Sequence, residues 1–382
     1  MTVRPDPGQR PAIRQLTGIR WFAALHVVFF HYAPAMPWLP RQIGENGYMA
    51  VGLFFILSGF VLGYNYADRR FDKGRFWLAR FARIYPAYLL AFVLMGPAVA
   101  ARLWHAHPMR LAATGLAAGG LVQGWFPGLE TVWNGPGWSL SSEAFFYLIF
   151  PVILPWLSRF SRRGLWLMGV GAWIAALVPP AVALALGGNR TAGAVQYMPV
   201  FRIAEFAMGV TAGLMFLRAP GGSRESRWLM PVSAALAIFA AFSPAYVPGD
   251  LRGALAAALF AVLVYSLSAS DGAFSRFLAW RPVYRLGDAS YAVYILQSPA
   301  MAYFLLATQG MQATGARAPL GWTQFALYVG FLTAASLACF TWLEAPARRW
   351  ITGLDRRKVK TSRAAAADLE YALAAPQNRG SW

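Results

Sequence analysis

Apolar stretches of about 20 residues recur along this chain from Leu16 to the neighbourhood of Glu344, and they constrain its fold more than any other feature. A helix rising 1.5 Å per residue needs about 20 residues to cross roughly 30 Å of hydrocarbon. In lipid each backbone polar group must find its partner within the segment, so such stretches must be helices. Of the 382 residues, 58% are hydrophobic and 13% charged, where a soluble domain averages about 25% charged. The expected fold is an all-α, polytopic transmembrane bundle. Its spans, about ten, fall at 16–37, 47–66, 84–103, 138–157, 164–186, 198–217, 228–246, 251–268, 289–308 and 323–344.

The basic residues set the expected orientation. With 111–124 (LAATGLAAGGLVQG) left uncrossed, 27 of the 34 Lys and Arg fall in segments assigned to one side, together with both termini. By the positive-inside rule that side is the cytoplasm. Making 111–124 a full crossing would move Arg159, Arg162 and Arg163 outside, so residues 104–137 are expected to form a long outer loop with a re-entrant or surface-lying piece. The remaining organisation is a flexible cytoplasmic tail at 1–15, a membrane domain at 16–350, and a basic, mobile cytoplasmic tail at 351–382. The start of the chain lacks the pattern of a cleavable signal peptide, since Arg20, His26 and His31 interrupt the first apolar stretch.

The net charge of +19 raises nucleic acid as a partner, but its carriers sit in short loops between spans, where they orient the chain and attract anionic lipid. Nucleic acid is therefore not expected, whereas membrane lipids are. The lone cysteine, Cys339, lies in the last apolar stretch and supports neither a disulfide nor a metal site.

Ionisable groups inside spans are costly, which makes each a candidate functional residue. In LTGIRWFAALHVVFFHY, Arg20 and His31 are eleven residues apart, about 20° from full registry on one helical face. Arg20 reads either as a snorkelling anchor or as a site residue, while the imidazole of His31 is suited to proton transfer. Glu143, in WNGPGWSLSSEAFFYLIFP, falls in the same outer layer. There it either orients His31 or is satisfied locally by Ser139, Ser142 or backbone groups. Arg202 and Glu205, at i,i+3, either serve the site or neutralise each other. Arg75, Arg80 and Arg83 precede the span containing Tyr88, and read either as a phosphate clasp or as ordinary positive-inside charge. The small residues Gly52, Ser58, Gly59 and Gly63 allow close helix approach or an acyl-chain slot.

In order and spacing these segments resemble acyltransferase family 3, membrane proteins that O-acylate polysaccharides, peptidoglycan, macrolides and related acceptors. The resemblance covers residues 16 to about 350. It rests on Arg20 with His31, LFFILSGF from Leu53, RFARIYPAY with Arg80, Arg83 and Tyr88, and WSLSSEAFFYLIFP with Trp138, Ser139 and Glu143. Further matches are the Arg202/Glu205 pattern, LGDASYAVYIL, and WLEAPARRW with Glu344. Two positions depart from the family pattern: Gln297 stands where members often carry His, and Ala144 where a second acid is frequent. No counterpart of the C-terminal extracytoplasmic domain of many relatives is expected in residues 351–382.

The resemblance implies a multi-pass enzyme of the cytoplasmic (inner) membrane that moves an acyl group, acetyl by expectation, from acyl-coenzyme A to a hydroxyl of a carbohydrate or lipid-linked glycan. It implies no resident cofactor or metal. His31 would be the general base or a transient acyl carrier, with Glu143 orienting it. Arg20, Arg80, Arg83, Ser58, Tyr88, Trp138, Ser139, Arg202 and Glu205 would contact donor or acceptor. The competing expectation is a transporter or flippase for a glycan or small molecule, since ten spans with intramembrane charges would also serve a substrate path.

Overall fold

The computed structural model of the protein describes residues 10–69, 71–105, 107–186, 196–219, 228–243, 249–309 and 320–353. The basic run of the C-terminal tail, most of the N-terminal tail, Arg190 and Arg317 lie outside these residues. Among the described residues all regular structure is helical. In chain order the helices are α1 (Arg14–Tyr32), α2 (Arg41–Asn46), α3 (Met49–Tyr66), α4 (Lys73–Leu103), α5 (Pro108–Gly119), α6 (Trp138–Leu157) and α7 (Arg162–Leu186). There follow α8 (Pro199–Leu217), α9 (Leu229–Phe242), α10 (Gly249–Ser268), α11 (Ala273–Ala279), α12 (Arg281–Asp288), α13 (Ser290–Gln309) and α14 (Trp322–Cys339).

Seven segments are long and apolar enough to cross a membrane, namely Gly44–Tyr66, Lys73–Leu103, Gly135–Leu157, Arg162–Leu186, Pro199–Leu217, Leu251–Ser268 and Trp322–Gly353. The chain is a multi-pass membrane protein. Each of the ten expected spans coincides with a helix, and α1, α9 and α13 are the three outside the apolar seven. Two of these have a physical explanation. Most of α1 is buried or half-buried, including Leu16, Trp21, Ala24 and Val28, with Phe22 exposed, and α13 is buried over most of Ala292–Met301, so protein covers the larger part of both. Helices in that position can carry Arg20, His31 and Gln297 where a lipid-facing helix could not.

Two segments differ from the simple span pattern. Helix α4 begins at Lys73, eleven residues before the expected span, because the Asp72 side chain caps it by accepting from the Arg75 amide at 2.7 Å. Arg75, Arg80 and Arg83 therefore stand on helical turns with fixed directions. Helix α5, with twelve residues, is about 18 Å long and too short for a hydrocarbon core of about 30 Å. It is tied back to α4, since the Tyr85 and Tyr88 hydroxyls donate to the carbonyls of Gly119 and Ala118 at 3.1 and 2.7 Å.

The centre of the bundle is the α3–α8 contact, the most extensive between any two helices. Gly59 and Gly63 on α3 face Gly209 and Gly213 on α8, each pair at small-xxx-small spacing. A Cβ on Gly59 would overlap the Phe206 carbonyl, and one on Gly209 would overlap the Ile56 carbonyl, so the two backbones touch. Packing is thus the role of Gly59 and Gly63, whereas Ser58 points elsewhere, into a cavity. The contact holds α3 at a fixed distance from its neighbours and so sets the cavity wall. Gly59→Leu should lower stability by about 1–3 kcal/mol or more, read as a lower melting temperature in detergent, while Gly171→Ala on α7, with nothing within 4 Å, should leave it unchanged.

Candidate active site

A cavity of about 920 Å³ lies between α1, α3, α4, α6, α12, α13 and the end of the α14 segment. One end is cationic: Arg20, Arg69, Arg80, Arg83 and Arg348 line the cavity, against two lining acids, Glu143 and Asp288. That excess suits an anionic ligand. Burial pushes the Asp288 carboxyl up, and Arg83, Arg20, Arg348 and Arg285 oppose that shift. Val51, Phe54, Phe55, Leu62 and Ile84 add apolar surface to the lining, and Ser139 and Tyr294 stand at the end away from the arginines.

Two of the arginines are held in place by packing. Arg83 pairs with Glu344, whose side chain is fully buried. A π-helical turn at Phe340–Glu344 turns the last helix so that Phe340, Glu344 and Arg348 all face this region. The Arg80 guanidinium lies over the rings of Phe76 and Tyr147, at 5.8 and 5.9 Å. Arg20 lines the cavity, within electrostatic reach of Arg83, Tyr147, Glu143 and Asp288.

A polar chain runs along the wall. Glu143 and Tyr147, one helical turn apart on α6, are joined by a 2.8 Å hydrogen bond from the phenol to the carboxylate. Since that bond uses the phenol's only proton, the Ser58 hydroxyl at 3.4 Å donates to the Tyr147 oxygen. At the far end the Tyr294 hydroxyl is 2.7 Å from Ser139 Oγ and 3.0 Å from the Pro136 carbonyl, which ties α13 to the loop Asn134–Gly137.

His31 stands beside that loop, outside the cavity lining. Its Nδ1 is 2.9 Å from the Val27 carbonyl, and because a carbonyl only accepts, Nδ1 carries the proton. In the neutral ring Nε2 is then the acceptor, and it faces Gly135. The backbone carbonyl, rather than the carboxylate of Glu143, makes the described hydrogen bond that selects the tautomer.

Six of the expected site residues therefore line one cavity: Arg20, Ser58, Arg80, Arg83, Ser139 and Glu143. The others lie apart from its lining. Tyr88 bonds to Ala118 and accepts from Gln123 at 3.3 Å, and Trp138 packs among Tyr48, Phe55 and Tyr197. Arg202 and Glu205 pair at 2.8 Å, buried, with the guanidinium 5.7 Å from the rings of both Tyr48 and Phe55. Gln297 is buried with its amide nitrogen on the Tyr294 carbonyl at 2.7 Å. Arg69, Arg348, Asp288 and Tyr291 were absent from the expected site. Arg69 and Arg348 resemble ordinary loop charge in sequence, although Arg348 lies in the WLEAPARRW segment whose Glu344 was already distinctive.

Helical spans surround a cation-lined cavity suited to an anionic ligand, with the His31 imidazole beside the loop at its uncharged end, in a multi-pass membrane protein. The chain belongs to acyltransferase family 3: a family model described as an acyltransferase domain matches residues 13–344. The protein is accordingly an acyltransferase. Similar curated proteins include Acyltransferase MdmB of Streptomyces mycarofaciens, 31% identical over 312 residues, covering 75% of this chain and 79% of the relative. Another is Peptidoglycan O-acetyltransferase OatA of Listeria monocytogenes, 23% identical over 375 residues, or 89% of this chain. The chain spans 56% of the length of that second relative. No solved structure matches the chain.

Removing Arg83 would leave the Glu344 carboxylate buried without its cation, so Arg83→Gln should cost about 3 kcal/mol in stability. Adding Glu344→Gln should restore a large part of the loss in melting experiments, which marks the pair as coupled.

Proposed function

We propose that this acyltransferase moves an acetyl group from acetyl-coenzyme A, entering from the cytoplasm, to a hydroxyl of a carbohydrate or lipid-linked glycan. The observation that carries the reading is one continuous cavity with five arginines at one end and Ser139 and Tyr294, next to the His31 loop, at the other. Phosphates of the donor are bound by Arg20, Arg80, Arg83 and Arg348, with guanidiniums suited to bidentate contacts. The pantetheine arm, itself part amide and part hydrocarbon, follows the mixed polar and apolar lining, and the thioester comes to rest near Ser139. The likeness to MdmB supports acyl transfer, and the likeness to OatA, a peptidoglycan O-acetyltransferase, supports acetyl as the group and a hydroxyl as its acceptor.

In this mechanism the acceptor hydroxyl attacks the thioester carbonyl carbon while His31 Nε2 takes its proton. The carbon–sulfur bond breaks, coenzyme A leaves as the thiolate, and the imidazolium returns a proton to it. The Val27 carbonyl keeps Nε2 aimed, and Glu143 acts from the cavity wall, where it holds Tyr147. Arg202 and Glu205 act as a packed pair and Tyr88 as a brace for α5, rather than as ligands. The proposed topology has ten spans, the apolar seven plus α1, α9 and α13, with both termini in the cytoplasm, which follows the distribution of Lys and Arg.

The test is mass spectrometry of glycans, lipids and secreted metabolites from a deletion strain and from strains complemented with wild type or His31→Ala. Wild type should restore one acyl-sized mass difference. His31→Ala, at equal membrane abundance, should lower it by about 10²–10⁴-fold. Full restoration by the variant would exclude His31 as the base.

A further inference from the structure

Gly135 opens the loop turn that faces His31, and it has room to spare. A methyl group built on Gly135 would meet its nearest neighbours, His31 Nε2, His31 Cδ2 and Ser298 Oγ, at 3.8, 3.9 and 3.9 Å. These are ordinary contact distances, unlike those at Gly59 or Gly209, where a Cβ would strike backbone. The backbone at Gly135 also lies outside the left-handed region, where among the described residues only Asp68, Leu121 and Gly128 fall. Neither backbone conformation nor packing therefore explains a glycine here. What the missing side chain leaves is a gap about one methyl group wide, bounded by the accepting nitrogen of His31 and by a hydroxyl on α13.

The two segments that close the gap also hold buried acceptor oxygens. Asn134, next to Gly135, donates its amide nitrogen to the Ile295 carbonyl at 3.0 Å. That carbonyl needs an outside donor because Pro299, four residues on, has no N–H to give it. Gln297, next to Ser298, likewise donates to the Tyr294 carbonyl. Both amide oxygens are left without a donor among the described residues, and both residues are at most 5% exposed. Oxygens in that state suit a ligand rich in hydroxyls.

We propose that the gap between His31 Nε2, Gly135 and Ser298 Oγ is the subsite for the reacting hydroxyl of a polyhydroxylated acceptor, with Ser298 its second hydrogen-bonding partner. The inference rests on the acyl-transfer reading. The reacting hydroxyl donates to His31 Nε2 and accepts from Ser298 Oγ, which leaves a lone pair directed at the thioester carbonyl. Glycine at 135 is required because any side chain would occupy the position of the substrate oxygen. Asn134 and Gln297 accept from neighbouring hydroxyls, which favours a sugar or polyol over an isolated alcohol.

The experiment pairs the complemented strains with the purified full-length chain in detergent, using acetyl-coenzyme A as the probe for donor binding. Gly135→Ala should keep wild-type membrane abundance and the wild-type melting shift with acetyl-coenzyme A, yet lose acylated product by about a hundredfold through displacement of the acceptor. Ser298→Ala should also retain the donor shift and lose product by about tenfold. Product within about twofold of wild type in either variant, at normal abundance, would overturn the subsite. If Gly135→Ala lowers abundance, Ser298→Ala decides by the same criteria. A wild-type protein that yields no acylated product and no donor shift would instead overturn the acyl-transfer reading itself.

Discussion

Moving an ionised side chain into the centre of a bilayer costs about 2.5–3.5 kcal/mol even on lenient scales, and the arrangement of this bundle follows from that cost. Two responses are visible. Arg202 and Glu205 neutralise each other beneath two aromatic rings, and Arg83 is paired with Glu344 across two helices. Arg20, Arg80 and Glu143 instead face a shared polar cavity, where water or a charged ligand can solvate them. Helix α1 carries charge because neighbouring helices cover most of its surface and Arg20 opens on the cavity.

The apolar spans were legible because their length is set by the thickness of hydrocarbon, a one-dimensional constraint. The limits of α3, α6, α7, α8 and α10 fall within two residues of those expected from the apolar pattern alone. The early start of α4 was not legible from apolarity, because its first turns are basic and are fixed by the Asp72 cap. The candidate site was legible to a lesser degree. Spacing identified Arg20, Arg80, Arg83 and Glu143 as intramembrane or juxtamembrane charges, but spacing cannot say which of them meet across the bundle. The i,i+3 spacing of Arg202 and Glu205 left pairing and function open, and the packing of α8 under Tyr48 and Phe55 is what brings the two side chains into a buried pair. Arg69 and Arg348 were hidden among loop charges because the turns that aim them, above all the π-helical turn at Phe340–Glu344, leave no periodic signal.

His31 shows how a local contact can replace an expected long-range one. A carboxylate on a distant helix was expected to hold its tautomer, yet the Val27 carbonyl, one turn back in the same helix, makes that bond. The bond that selects the tautomer is therefore built into α1 itself. Tyr294 has a complementary place, because its bonds to Ser139 and Pro136 hold the loop that lies between the cavity and His31. In the proposed reaction that loop is where donor and acceptor meet, so the donor reaches the base without the charged groups of the cavity leaving their shared polar interior.

The central claim is that the cavity is a donor site rather than a transport path. A cryo-electron microscopy map of the protein in lipid nanodiscs with a non-hydrolysable acetyl-coenzyme A analogue tests it most directly. The account predicts density for the phosphates among Arg20, Arg80, Arg83 and Arg348, and for the acyl carbonyl between Ser139 and Gly135. An analogue bound outside the cavity, or a cavity that holds glycan while the analogue stays unbound, would contradict it.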